Sequence, residues 1–264
     1  MTKTHQEIST ANQKEGADAA ESLAHYTGAP IPPPARTDGP WLIVFWRSDI
    51  AKKWLMALSG LALIGFVIAH MIGNLKLFIG KADINEYAEW LRTLGHPVLP
   101  DQVVLWIMRV GLLAAVVVHI AAAASLTITN RKARPVRYQS RRDYAAANFA
   151  SRTMRWTGII VLLFIIYHLL DLTWGVGNSS WRSGEVYDNI ITSFQRWPVA
   201  IFYIIANMAL AFHIFHGFSS MFASLGWSNP RFSVLRKNGA IGIAAIILIG
   251  NVSMPLLVVT GVYP

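Results

Sequence analysis

Long apolar runs separated by polar segments dominate the hydropathy pattern of this chain. Each run approaches the roughly 20 residues that a helix needs to cross a bilayer, and the runs lack the alternation of barrel strands. Only helices and closed barrels satisfy the backbone in lipid, so the pattern predicts an all-α integral membrane protein, a five-helix bundle. The five spans are expected near residues 54–79, 103–129, 157–177, 198–225 and 239–261.

The first 45 residues have a different character. The stretch "THQEISTANQKEGADAAES" is polar, and "GAPIPPPARTDGP" is rich in proline. This region contains no apolar core of a secretory signal. We therefore expect residues 1–45 to form a cytoplasmic, partly disordered tail and residues 46–264 to form the five-helix transmembrane domain.

Positive charge is concentrated in the connections on one side of the predicted membrane. The segment 130–155 carries eight Arg or Lys residues and a single Asp, whereas the connections on the opposite side are balanced or acidic. The positive-inside rule then predicts a cytoplasmic N-terminus and an outer C-terminus. The formal net charge of +9 is thereby explained by cytoplasmic loops, and we expect no nucleic acid as a partner.

The amino-acid composition excludes several classes of protein and of functional site. Only 14% of the residues are charged, against about 25% in soluble domains. The chain has no cysteine, which excludes disulfides, catalytic thiols and an iron–sulfur cluster built by this chain alone.

Five of the eight histidines lie within the apolar runs: His70, His119, His168, His213 and His216. Ionisable residues at membrane depth indicate function. At a rise of about 1.5 Å per residue, His70 and His168 fall on the outer side, and His119 falls on the inner side with His213 or His216. Two pairs at two depths suit two bis-histidine haems between facing helices, whereas zinc or copper more often needs three or four ligands at one depth.

Two further questions stay open at this level. His213 and His216 are three residues apart and face roughly the same side of a helix, so spacing does not choose between them. Arg109 lies in the outer part of the second span, where a buried arginine needs a partner. An outer-haem propionate, a quinone carbonyl, or an ion pair with Asp171 or Glu89 would each serve.

Four stretches carry a family resemblance: "AKKWLMALSGLALIGFVIAHMIGNLKLF", "VVVHIAAAASLTITNRKARPVRY", "ASRTMRWTGIIVLLFIIYHLLDLTWG" and "AFHIFHGFSSMFASLGW". From about residue 46 to the end, the chain resembles the single-chain, five-helix, di-haem cytochrome b subunit of bacterial succinate dehydrogenases and fumarate reductases.

The resemblance implies a membrane-anchor cytochrome b of succinate:menaquinone oxidoreductase (complex II) in the bacterial plasma membrane. Such a subunit passes electrons from an iron–sulfur subunit through two haems b to menaquinone, and it binds a flavoprotein subunit as well. It is the quinone-reactive part of an oxidoreductase, and the flavin dicarboxylate site is expected in a partner. The resemblance leaves open a further small membrane subunit.

The resemblance also implies ligands. His70 and His168 would bind the outer haem iron, and His119 would share the inner one with a histidine of the fourth span. The family's fourth ligand precedes a glycine, which favours His216 and leaves His213 as the alternative. Some fumarate reductases of the family carry a glutamate two residues before this ligand; here that position is Ile214, so their proton route is not expected.

Other functions fit part of the pattern. A quinol:fumarate reductase subunit, an anchor with fewer haems and an unrelated di-haem cytochrome b all share the four histidine-bearing spans. A transporter or proton channel with intramembrane histidines would show broken helices and inverted repeats, and no inverted repeat is recognised in the sequence.

Overall fold

The protein is described by a computed structural model that covers residues 39–132, 145–227 and 229–263. Most of the predicted tail and the centre of the basic loop therefore lie outside the described residues. All regular structure in the described part is helical. The eight α-helices are α1 (Trp41–Arg47), α2 (Asp49–Asn74), α3 (Lys81–Thr93), α4 (Val103–Lys132), α5 (Ala145–His168), α6 (Val186–Phe194), α7 (Trp197–Ser224) and α8 (Ser233–Val259).

Among the described residues, five helical segments are long and apolar enough to cross a membrane: Asp49–Phe78, Val103–Lys132, Thr153–Thr173, Trp197–Ser224 and Pro230–Val259. The predicted five-span fold is confirmed. Four of the five segments begin before the predicted span, because helix ends reach into the polar interface, where caps are available, and the third ends at Thr173, four residues before the predicted end. The Ser48 side chain, for example, accepts a hydrogen bond from the Ala51 N–H at 3.2 Å, which starts α2 five residues before the predicted span.

The spanning helices pack mainly as sequential neighbours. α2 packs on α4, α5 packs on α7, and α8 packs on α7; α2 also contacts α7 and α8. Small residues allow the closest approaches, as in other membrane bundles. A Cβ atom at Gly250 of α8 would clash with the Met71 side chain of α2. α2, α4, α5 and α7 thus form two joined pairs, with α8 as a fifth helix.

A buried apolar cluster lies at one end of the bundle, where the short helices α3 and α6 cover the ends of the spans. It consists of Leu77, Ile84, Ile190, Ile191, Phe194, Tyr203, Met254 and Val258. Polar contacts join the two short helices, because Lys81 Nζ lies 2.6 Å from Asp188 and 3.2 Å from Glu185. Hydrogen bonds to these carboxylates, Asp188 first, raise the pKa of Lys81. We call this end the capped end.

Candidate functional site

Four intramembrane histidines meet in two pairs, one from each of four helices. The ring centroids of His70 on α2 and His168 at the end of α5 are 5.9 Å apart, with the ring planes at 88°. Those of His119 on α4 and His213 on α7 are 6.3 Å apart, at 64°. We refer to these as the His70–His168 pair and the His119–His213 pair.

His213, and not His216, is the α7 histidine that faces His119. The His216 ring packs instead beside its neighbour Phe215, at 4.9 Å between centroids. A step of three residues turns a helix by about 300°, so two such side chains point roughly 60° apart and sit on successive turns. The geometry favours His213 as the partner of His119, the reverse of the preference that the resemblance implies.

Hydrogen bonds orient the His119 ring against α2. Its Nδ1 lies 3.1 Å from the Met56 carbonyl oxygen and 3.2 Å from Ser59 Oγ. A carbonyl only accepts, so Nδ1 carries the proton and donates it, and Nε2 keeps a lone pair for a metal. Gly60 makes room for the ring, because a Cβ there would lie 3.2 Å from His119 Cε1.

The same arrangement orients His213 against α5. Its Nδ1 lies 3.2 Å from Thr157 Oγ1, and a backbone hydrogen bond joins the ring to Met154. A Cβ at Gly158 would lie 3.4 Å from His213 Cε1. Each ring of the His119–His213 pair therefore has one carbonyl, one hydroxyl and one glycine as its support.

The methionine, hydroxyl residue and glycine that contact each ring belong to a sequence repeat. The stretches "MALSGLALIGFVIAH" (56–70) and "MRWTGIIVLLFIIYH" (154–168) share Met, a hydroxyl residue, Gly, Phe and His at identical spacing. The phenylalanines contact the terminal histidines in both, with centroids 5.2 Å apart for Phe66–His70 and 5.7 Å for Phe164–His168. Both copies run in the same direction, so the repeat is not an inverted one. This signal was present in the sequence and would have singled out Ser59 and Thr157.

The two pairs lie at different levels of the bundle. His70 follows Gly60 by ten residues along α2, and His168 follows Gly158 by ten along α5. At about 1.5 Å per residue, ten helical residues span roughly 15 Å. The His70–His168 pair is the one nearer the capped end.

The ring separation in each pair fits a haem iron that two imidazoles would hold. A metal held at about 2 Å from one nitrogen of each imidazole places the ring centroids about 6 Å apart, as in both pairs. Among the described residues, no group of three or more His, Cys, Asp or Glu side chains could hold a metal ion. Two-histidine sites suit an iron whose remaining four ligands come from a porphyrin.

Arg109 lies at the level of the His70–His168 pair, because it precedes His119 by ten residues on α4. Its side chain is exposed, and its guanidinium carbon lies 5.1 Å from the centroid of the Trp106 ring. The acidic residues considered as its partners pair elsewhere: Asp171 with Arg196 at 2.5 Å and Glu89 with Arg92 at 3.2 Å. The guanidinium thus stays available to an anionic or carbonyl group.

The second half of the bundle carries the family assignment. A sequence model described as succinate dehydrogenase/fumarate reductase transmembrane subunit matches residues 127–252. Residues 127–252 belong to this family. Over this range the predicted family is confirmed, and the family is one of membrane subunits of an oxidoreductase complex. No curated protein and no solved structure matches the chain.

The matched range contains His168 and His213, together with Thr157 and Gly158, whereas His70 and His119 precede it. The repeat extends the same motif into the first half. Each half of the bundle therefore supplies one histidine to each pair.

Proposed function

We propose that this chain is the quinone-reactive cytochrome b anchor of a bacterial succinate:menaquinone oxidoreductase and binds two haems b. His70 and His168 would hold the iron of the outer haem, and His119 and His213 would hold that of the inner haem, with His216 as the alternative to His213. When bound, haem b supplies one-electron transfer between the iron–sulfur subunit and menaquinone.

One observation carries the proposal: two histidine pairs, drawn from four helices and two levels, each with the ring separation of a bis-histidine iron site. Structural histidines would need no such pairing. A protein-only metal centre would need more ligands at one level.

The remaining residues of the inner site orient the ligands. The Met56 and Met154 carbonyls and the hydroxyls of Ser59 and Thr157 hold the Nδ1 side of each ring. The Nε2 side is left free for iron. Arg109 is suited to an outer-haem propionate or a quinone carbonyl at the other level.

The distribution of charge supports a cytoplasmic N-terminus. Lys52 and Lys53 lie near the start of α2, Arg131 lies in the last turn of α4, and Arg236 lies in the first turn of α8, all at the end of the bundle opposite the capped end. This basic face is cytoplasmic under the positive-inside rule. On this proposal the flavoprotein and iron–sulfur subunits dock on the basic face, and the His70–His168 pair lies on the outer side of the membrane.

A haem count tests the proposal. The dithionite-reduced minus oxidised spectrum of the purified complex should give two haems b per chain in the wild type. We expect one haem after His70→Ala or His213→Ala, because each removes one axial ligand, and two after His216→Ala, the matched control one turn away on α7. A wild-type complex without haem would refute the cytochrome function. Two haems in His213→Ala with one in His216→Ala would restore His216 as the ligand.

A further inference from the structure

A buried polar network lies next to the His70–His168 pair. Asp171, in the π-helical turn that ends the third span, has no exposed surface. Its Oδ1 accepts a hydrogen bond from Arg196 Nη2 at 2.5 Å, and its Oδ2 accepts one from the Ser193 hydroxyl. The guanidinium and the hydroxyl donors compensate this carboxyl group for its loss of hydration, because they satisfy its oxygens and balance its charge.

Tyr203 connects this carboxylate to His168. Its hydroxyl donates to Asp171 Oδ2 at 3.1 Å and lies 3.4 Å from His168 Nδ1. The phenol hydroxyl has a single hydrogen, which it donates to Asp171. The Tyr203 oxygen therefore accepts a hydrogen bond from the Nδ1–H of His168. Nε2 of His168 then keeps its lone pair. Tyr203 is 3% exposed, so water competes little for these bonds.

Among the described residues, His168 alone of the four paired histidines is linked in this way to a carboxylate. The rings of the His119–His213 pair are held by neutral groups, a carbonyl and a hydroxyl each. A carboxylate that acts on a metal-binding histidine through an intervening side chain raises the basicity of that histidine and changes the reduction potential of the metal. A negative charge in a low-dielectric interior stabilises the more positive, oxidised iron.

We propose that Asp171, acting through Tyr203, is a positioning residue for His168 that lowers the reduction potential of the outer haem and leaves the inner haem unaffected. The inference rests on the proposed function, since it needs both haems. Arg196 offsets only part of the effect, because it binds the far oxygen of the carboxylate whereas Tyr203 binds the near one.

The test is a redox titration of both haems in the intact complex of Asp171→Asn and Tyr203→Phe. For Asp171→Asn we expect the ratio of reduced to oxidised outer haem at a fixed ambient potential to rise about tenfold, an upward shift of about 59 mV for one electron. Tyr203→Phe should shift the same haem in the same direction by less, because the carboxylate remains. The electron paramagnetic resonance signal of the ferric outer haem should change as well, since the His168 ring loses its anchor.

Glu89→Gln is the matched control, because it removes an exposed carboxylate at the same end of the bundle. Outer-haem potentials in Asp171→Asn and Tyr203→Phe equal to that of Glu89→Gln would overturn the proposal, as would equal shifts of both haems. If Asp171→Asn fails to assemble, Tyr203→Phe decides alone, because it retains the Asp171–Arg196 pair. A wild-type complex without haem would refute the proposed function instead.

Discussion

Removing the Ser59 hydroxyl should weaken inner-haem binding by a small, calculable amount. His119 Nδ1 has two acceptors, Ser59 Oγ at 3.2 Å and the Met56 carbonyl at 3.1 Å. In Ser59→Ala the carbonyl remains, so the donor is not orphaned and only one neutral hydrogen bond is lost. Such a bond contributes about 1 kcal/mol, which is about fivefold in an equilibrium constant.

The repeat supplies a matched set of variants. Thr157→Val should cost the same on the other side of the pair, because Thr157 Oγ1 contacts His213 as Ser59 contacts His119. The exchanges Ser59→Thr and Thr157→Ser keep the hydroxyl and should retain haem as the wild type does. The double variant Ser59→Ala/Thr157→Val should lose roughly 2 kcal/mol if the two bonds are independent.

The assay is the fraction of inner haem retained by the purified complex as detergent and an excess of a haem-accepting protein draw haem away. The outer haem, measured in the same spectra, is the internal reference. Equal retention in Ser59→Ala and wild type would refute the reasoning. So would a loss in Ser59→Thr as large as that in Ser59→Ala, since that would make side-chain shape and not the hydroxyl the cause.

Two further predictions concern the scaffold. Gly250→Ala should destabilise the bundle by about 1–3 kcal/mol through overpacking, because the new Cβ would lie 2.9 Å from Met71 Cγ and still closer to the Met71 sulfur. Gly242→Ala on the same helix is the control, because a Cβ there meets nothing within 4 Å. Its thermal unfolding midpoint should equal that of the wild type. The ion pair of Lys81 with Asp188 at 2.6 Å should favour the folded cap below the raised pKa of Lys81 and lose its effect as pH rises through that value. Lys81→Met should therefore lower the thermal midpoint slightly at neutral pH and low salt, and no longer at strongly alkaline pH; a difference that persists there would rule out charge as its origin.

The sequence by itself determined the number of spans and the helices that carry histidine. Hydropathy is a local property, since each span must be apolar along its own length whatever it packs against. The predicted spans near 103–129 and 198–225 differ little from the helical segments Val103–Lys132 and Trp197–Ser224. The family was likewise readable, because its motifs are contiguous in the chain.

Only the tertiary structure decided which side chains meet. His213 and His216 share one helix and one residue type, and the rotation of α7 against α4 alone brings His213 to His119. The motif around Ser59 can be recognised in the sequence. Its partner His119 lies on another helix, however, and approaches Ser59 only because α2 packs on α4. Asp171 finds Arg196 and Tyr203 for the same reason. Pairwise contacts between distant residues depend on helix rotation and close approach, which hydropathy does not encode.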